Sequence, residues 1–401
     1  MQATDSTRDP HADAPWHPYC STTESIASDL QRATTNPHPP RVPRMLRTVH
    51  DLDSPPSWQA TPGGPSGVAV LLNGNAKQVT ARVRDAIASV VPTENLFFTS
   101  SPHEVGSIAE HVVERGFHTV FTGGGDGTFV AWVNRILEIA ERRPARPPRF
   151  GVLALGTGNA VAEMVGADPR RHTSDLVRYL RGEVEGVRRL PLIACAGRRT
   201  PFAGVGIDAA ILNDYNWVKD RLADTVLAGL GTGATGYGLA IAMRSAPRYL
   251  MERRPGYCEV VNAGRAAWRL DAGGNRIGRP VEHGELLYAG PCAFAAASTV
   301  PYYGLGLKCF PFAERTAGMF QLRLAATLPV ADLLINLPKI FSGEYAHPGI
   351  RDFSAERVQI RFERPMPLQI GGDAEGWPDE ISFAMAPGAV EVVDFARRAA
   401  A

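Results

Sequence analysis

This 401-residue sequence has few cysteines, and it lacks clustered histidines and long apolar runs. Its five cysteines are scattered and show no C-x-x-C spacing, and its ten histidines form no H-x-x-x-H pattern. A disulfide framework and a zinc site are therefore not expected, and a reducing cytoplasm is the natural compartment. No run of about 18 apolar residues occurs, which predicts that the chain has no transmembrane helix. The formal net charge of +1 gives no reason to expect a nucleic-acid partner.

Composition divides the chain into three parts. Residues 1–65 are rich in Pro, Thr, Ser, Asp and His, which is typical of a disordered extension. Residues 66–190 alternate buried-type strands with amphipathic helices, which predicts an α/β domain with a parallel sheet covered on both faces. Residues 191–395 contain mainly short β-type runs separated by glycine turns, together with helical patches at 215–246 and 331–341. They predict a β-rich, antiparallel second domain.

Four loops of the α/β domain follow the predicted strands. They lie at residues 73–77, 99–103, 122–128 and 156–159. Ligands of parallel sheets bind beyond the carboxyl ends of the strands, so we expect these loops to line one crevice. This makes residues 66–190 a predicted nucleotide-binding domain.

The most informative loop reads Gly-Gly-Gly-Asp-Gly-Thr over residues 123–128. Glycines let a backbone turn tightly and approach a ligand, and the N-terminus of the helix that follows attracts an anion. A carboxylate in this turn would repel phosphate unless a cation or a transferable proton were present. The combination points to phosphoryl transfer from a nucleoside triphosphate with Mg²⁺. The alternative is a tight turn with Asp126 as a helix cap, although a cap needs far fewer glycines. The candidate residues are Gly124, Gly125, Asp126, Gly127 and Thr128.

Two further turns supply polar groups at the same predicted edge. The first offers Asn73 and Lys77, and a lysine can pair with phosphate as a point charge. The second offers Gly156, Thr157 and Asn159 at a helix start. A solvated turn and a purely structural turn remain the respective alternatives.

Two acidic elements lie in the predicted second domain. Residues 371–376 place Asp373 and Glu375 between glycines, where they could provide a general base for a hydroxyl and a group oriented by Mg²⁺. The alternative is a polar hairpin loop. Residues 204–208 pair two glycines with Asp208, and a β-bulge with an exposed acid is the alternative to a role in a cleft.

In this order, the motifs resemble those of the diacylglycerol kinase-type lipid kinases, which include sphingosine and ceramide kinases. Residues 124–128 match the G-G-D-G-T signature of these enzymes, and residues 154–159 look like their P-x-G-T-x-N segment with Ala154 in place of the proline. The resemblance covers roughly residues 66–395 and also includes three elements of the second domain. These are the G-x-G-x-D element at 204–208, the stretch at 301–308 and the acidic pair in Asp373-Ala374-Glu375.

The resemblance implies two domains with the active site in the cleft between them, and an ATP- and Mg²⁺-dependent transfer of phosphate to a lipid hydroxyl. Asp373 would be the general base, with Glu375 beside the metal, and Asp126 is the alternative base. Glycines 124, 125, 127 and 156, with Thr128, Thr157 and Asn159, would hold the nucleotide. The first loop departs from the family pattern, so Asn73 matches better than Lys77.

The resemblance also implies a peripheral association with membranes, where the lipid substrate resides, and it leaves a homodimer open. Two other functions remain alternatives. One is a soluble-metabolite kinase of the NAD kinase type, since those enzymes also use a G-G-D-G turn. The other is a non-catalytic lipid- or nucleotide-binding protein, which the altered first loop would favour.

Overall fold

The computed structural model describes residues 67–76, 78–143, 145–210, 256–304, 306–327 and 330–396. The chain divides into two units, Met1–Gly63 and Gly64–Ala401, and the second unit contains every described residue. Three sequence predictions lie outside the described ranges, namely the extension at 1–65, the role of Lys77 and the helical patch at 215–246.

The first half of the described chain alternates strands and helices, as the sequence predicts. Its strands are β1 (Val68–Asn73), β2 (Leu96–Thr99), β3 (Thr119–Gly124) and β4 (Arg149–Ala154). Its helices are α1 (Ala81–Ala88), α2 (Pro102–Glu114), α3 (Asp126–Arg142), α4 (Ala160–Met164) and α5 (His172–Leu180), with a short 3-10 turn at Thr93–Asn95.

Local sequence signals explain where these helices begin. The Thr80 side chain accepts a hydrogen bond from the Val83 N–H and so caps α1. Ser101 and Glu104 form a capping box at the start of α2. Helix α3 carries apolar residues at helical spacing on one face and buries Trp132 and Ile136 against the sheet. The predicted parallel arrangement follows, because β4, β3, β1 and β2 pair side by side in that order and all run parallel.

The second half of the chain is rich in strands. They are β5 (Val187–Cys195), β6 (Arg198–Thr200), β7 (Phe202–Gly206), β8 (Gly256–Asn262), β9 (Ala267–Leu270), β10 (Arg276–Val281), β11 (Leu286–Cys292), β12 (Phe294–Ser298), β13 (Phe320–Ala325), β14 (Ile350–Ala355), β15 (Arg357–Phe362), β16 (Leu368–Ile370), β17 (Asp373–Ala374) and β18 (Glu380–Val393). Two short helices interrupt them, α6 (Val330–Ile335) and α7 (Leu337–Ser342).

These strands form antiparallel sheet in two places. One sheet runs β10-β9-β14-β13-β12-β7-β16-β17. The other strands extend the parallel sheet in the order β11-β8-β15-β18-β4, and β5 pairs with both β18 and β6. In this extension only the contact of β18 with β4 is parallel. Alternate residues of facing strands, such as Val260, Leu322 and Ile360, are fully buried in a core shared by the two sheets. The predicted fold class is confirmed: a parallel-rich N-terminal part and an antiparallel, β-rich C-terminal part.

Candidate active site

The two glycine-rich turns pack directly against each other at the carboxyl ends of β3 and β4. A Cβ atom on Gly156 would lie 2.2 Å from the Cα atom of Gly125, and one on Gly125 would lie 2.8 Å from the carbonyl oxygen of Gly158. The Asp126 N–H donates to that same carbonyl at 3.1 Å. These glycines are therefore needed for the contact between the turns, a role that precedes any contact with phosphate.

Asp126 joins the second turn through its side chain. Its Oδ2 accepts a hydrogen bond from the Ala160 N–H at 2.9 Å, and its Oδ1 accepts one from the Val161 N–H at 3.2 Å. The carboxylate thus caps helix α4 from a neighbouring helix, and the residue is only 6% exposed. Burial raises the pKa of Asp126 to about 6, while the N–H groups of Ala160 and Val161 oppose that shift.

The turn after β1 meets the start of α3. The Asn73 side-chain amide donates to the Thr128 hydroxyl at 3.0 Å, and the Asn75 N–H donates to Asn73 Oδ1 at 2.9 Å. A Cβ on Gly124 would lie 2.4 Å from the Thr128 hydroxyl oxygen. The structure therefore brings together three sequence-predicted residues, Asn73, Gly124 and Thr128.

Asn159 keeps one polar atom without a partner. Its amide nitrogen donates to the Gly156 carbonyl at 2.9 Å, while its Oδ1 is buried and has no hydrogen-bond partner in the described part of the chain. A buried acceptor without a partner is unfavourable, so a hydrogen bond from a donor group of a bound ligand would stabilise it. Thr157 lies half-buried in the same turn.

The acidic loop of the β-rich part reaches the start of helix α3. A Cβ on Gly127 would lie 2.7 Å from Oδ1 of Asp373 and 2.9 Å from its Oδ2. Gly371 precedes this loop with a φ of +59°, and a Cβ there would lie 2.7 Å from a methyl group of Val130 on α3. Both contacts need glycine, and they place the Asp373 carboxylate against the first turn of the helix. The structure thus brings together two motifs that are distant in sequence.

Arg198 is a residue of this region that the sequence analysis did not single out. Its guanidinium forms an ion pair with Glu375, and its Nη2 lies 3.8 Å from Oδ2 of Asp373. Partial burial raises the pKa of Asp373, the charge of Arg198 opposes that shift, and Glu375 adds to it. In a chain with 42 lysines and arginines, no local pattern marks this one as part of a site.

Asp208 lies in a buried polar cluster behind the acidic loop. The Tyr303 hydroxyl donates to Asp208 Oδ2, and the Gln369 amide contacts both groups. Gln369 Oε1 also accepts the Gly372 N–H at 2.8 Å, which ties the cluster to the residue before Asp373. Burial raises the pKa of Asp208, and the Tyr303 hydroxyl is the largest opposing influence. The alternative of an exposed acid on a bulge is wrong, because Asp208 is partly buried and its carboxylate is hydrogen-bonded to Tyr303 and Gln369.

The residues present fit a magnesium ion only in part. Among the described residues, no group of three or more His, Cys, Asp or Glu side chains could hold a metal. Magnesium in kinases is commonly held by one or two carboxylates together with substrate phosphates. Asp373 and Glu375 supply two carboxylates in one loop, which is the share of such a site that the protein provides.

Comparison with protein families agrees with this architecture. Residues 68–189 match the diacylglycerol kinase catalytic domain, and residues 280–394 match the YegS C-terminal NAD kinase beta sandwich-like domain. The fold and the site thus define a kinase superfamily with an α/β catalytic domain and a β-rich partner domain. The chain belongs to the diacylglycerol kinase-type lipid kinase superfamily. The sequence has no significant match among curated proteins.

Solved structures show the same fold. A proposed diacylglycerol kinase from Bacillus anthracis str. Sterne is 14% identical, with a TM-score of 0.55, and the match covers 82% of this chain and 97% of that one. A diacylglycerol kinase structure from the same strain is 11% identical, with a TM-score of 0.52 and the same coverage. At these identities the likeness establishes the fold.

Within the described residues, no helix has the length and apolar character needed to cross a membrane.

Proposed function

We propose that this protein is an ATP- and Mg²⁺-dependent lipid kinase that phosphorylates a lipid hydroxyl. The observation that carries the proposal is the position of Asp373 against Gly127, at the start of the helix that follows the glycine-rich turn. That helix N-terminus is suited to phosphate, and Asp373 would stand beside it as the general base. The family match supports the kinase class, and the acidic pair supports a hydroxyl acceptor.

Asp373 suits the role of base better than Asp126 does. Both carboxylate oxygens of Asp126 accept backbone N–H groups, and the side chain is buried. The side chain of Asp373 is 51% exposed and can meet a substrate. In the proposed reaction, the lipid oxygen forms a bond to the γ-phosphorus and its proton passes to Asp373. The bond from that phosphorus to the bridging oxygen breaks, and this oxygen leaves with ADP.

Other residues of the site would position the nucleotide. The unpaired Oδ1 of Asn159 is available to a donor of the nucleotide, and Thr157 and Thr128 offer hydroxyls at two helix starts. Glu375 and Asp373 would hold Mg²⁺ after their ion pairs with Arg198 have broken. When bound, the metal would neutralise charge that develops on the phosphates.

We also propose that the lipid is reached at a membrane surface. Helices α6 and α7 expose the apolar side chains of Ile335, Leu337 and Phe341, with Ile335 78% exposed. Phe341 lies beside the loop at Gly306, and Glu163 of helix α4 lies beside the same glycine. This places the apolar surface next to the candidate site. The fraction of protein that sediments with anionic vesicles should be lower for the double variant Ile335→Ser/Phe341→Ser than for wild type. Leu286→Ser is the control, because it removes an exposed leucine from β11, and this variant should sediment like wild type.

The reaction is tested with labelled ATP, Mg²⁺ and a panel of lipid hydroxyls in mixed micelles. Diacylglycerol, a sphingoid base and ceramide form the panel, and NAD is included because the matched C-terminal domain is described as NAD kinase-like. One labelled lipid product would support the proposal and identify the acceptor. Label on NAD alone would replace it with the soluble-metabolite alternative, and nucleotide binding without turnover would favour a non-catalytic relative.

A further inference from the structure

The backbone at Arg198 is fixed by the β5–β6 hairpin and by hydrogen bonds to helix α3. It begins strand β6, directly after a two-residue turn at Ala196 and Gly197, and pairs across the hairpin with Cys195. The Asn134 side chain of helix α3 accepts the Arg199 N–H at 2.8 Å and donates to the Arg199 carbonyl at 2.7 Å. The backbone beside Arg198 is therefore fixed to the helix whose first turn contacts Asp373.

The Arg198 side chain is the cation that the structure places between the two carboxylates of the acidic loop. Its side chain is 28% exposed, and those of Asp373 and Glu375 are 51% and 32% exposed. Water still reaches part of all three side chains, so these ion pairs are weaker than fully buried ones and a competing cation can replace the guanidinium. Arginine keeps its charge at all accessible pH values, and its planar fork of donors also matches phosphate oxygens.

We infer that Arg198 is a further catalytic residue of the proposed kinase, which exchanges its partners during the reaction cycle. It holds Asp373 and Glu375 before the metal arrives, and it contacts the transferred phosphoryl group after the carboxylates turn to Mg²⁺. This inference rests on the proposed function. The purely structural alternative is that Arg198 only ties the acidic loop to the β5–β6 hairpin.

Arg199 provides a matched control for this inference. It is the next residue and carries the same charge, but its Nη1 pairs with Oε1 of Glu141 at 2.6 Å on the far part of helix α3. Three variants separate the two roles of Arg198: Arg198→Gln removes the charge, Arg198→Lys keeps the charge without the fork, and Arg199→Gln removes a neighbouring surface charge.

The experiment measures Mn²⁺ binding without nucleotide by electron paramagnetic resonance, and kcat at saturating Mg²⁺ and ATP. Arg198→Gln should bind Mn²⁺ several-fold more tightly, because the competing cation is gone, and should lower kcat by about 100-fold or more. For Arg198→Lys, both the Mn²⁺ affinity and kcat should lie between those of wild type and Arg198→Gln. For Arg199→Gln, both should stay within about twofold of wild type. Melting temperatures show that each variant is folded.

Two results would overturn the inference. Full activity in Arg198→Gln would remove the catalytic role. Unchanged or weaker Mn²⁺ binding in that variant would leave only the structural role. If the wild-type protein phosphorylates no acceptor, the proposed function fails, whereas the Mn²⁺ measurement still decides whether Arg198 competes with a metal for the two carboxylates.

Discussion

Two aspartates next to glycine, Asp126 and Asp373, have opposite surroundings. Asp126 lies in the motif that dominates the sequence, yet it is buried and both of its oxygens accept backbone N–H groups. Asp373 lies in a loop that resembles an ordinary hairpin, yet its side chain is half-exposed. Within the described ranges it forms an ion pair with Arg198, whose Nη2 lies 3.8 Å from its Oδ2. The comparison teaches that the acid most conspicuous in the sequence joins the two turns, while the less conspicuous acid is the one accessible to a substrate.

The largest expected effect comes from removing the free carboxylate. Asp373→Asn should lower kcat by about a thousand-fold, since a general base commonly contributes a factor of this order. Its melting temperature should barely change, because the side chain is half-exposed. The exposed Asp379→Asn, six residues along the chain, is the matched control and should keep full activity. Comparable kcat values for the two variants would refute the role of Asp373.

A smaller effect is expected from disturbing the contact between the two turns. Gly156→Ala would push a methyl group to 2.2 Å from the Gly125 Cα, so the backbone must shift. We expect the free energy of unfolding to fall by about 1–3 kcal/mol, as in other overpacked sites. Gly256→Ala adds a methyl group whose nearest neighbour is a sulfur atom at 3.5 Å, and urea unfolding should show little change. Equal losses in the two variants would contradict the close contact.

The pH dependence of stability sharpens the comparison further. The folded pKa of Asp126 is about 6, above its ordinary value of 3.8. The folded protein then binds the proton more tightly than the unfolded chain, so this contribution is complete below about pH 4 and is lost as pH rises through 6. Its full size is about 3 kcal/mol.

The test for this contribution compares wild type with Asp126→Asn, which has no proton to titrate at this position. Urea unfolding from pH 4 to 7 should show the stability of wild type falling relative to the variant. A constant difference across this range would show that the pKa of Asp126 is not raised. In contrast to Asp373→Asn, the Asp126→Asn variant should retain measurable kinase activity if it folds.

The smallest effect concerns the turn that presents Arg198. Among the described residues, Ala196 is the one residue other than glycine with a positive φ, at +46°. That conformation is unfavourable for a residue with a Cβ, so Ala196→Gly should raise the free energy of unfolding by roughly 0.5–1 kcal/mol. Gly197→Ala should have the opposite effect, since Gly197 has a φ of +76°. Thermal unfolding of the pair measures both signs, and a destabilised Ala196→Gly would contradict the strain.

The sequence predicted the α/β half well because its signals are local. Patterns of apolar residues predicted the alternation of strands and amphipathic helices, and the rule for parallel strands placed the turns at one edge. The boundary of α3 was less accurate, because the glycine turn already belongs to the helix and puts Asp126 in its first turn. A carboxylate that caps a different helix leaves no pattern in the sequence.

The β-rich half was harder to predict for physical reasons. Strand β12 is Phe-Ala-Ala-Ala-Ser and buried throughout, so it lacks the alternation that marks a strand. Strand β18 pairs with β4 and β5, partners that are distant in sequence. Arg198 and Gln369 contact residues that are far away along the chain. The local sequences of the hairpin that carries Arg198 and of the strand that carries Gln369 contain no pattern that predicts these contacts.

The path of strand β18 has a consequence for how the polypeptide becomes folded. Residues 380–393 complete the sheet that begins with β1, more than 300 positions earlier, and they also pair with β5 and β15. During synthesis, the edge of β4 therefore stays unpaired until residues 380–393 have been made. Such non-local closure predicts slow folding, with the parallel sheet completed only late.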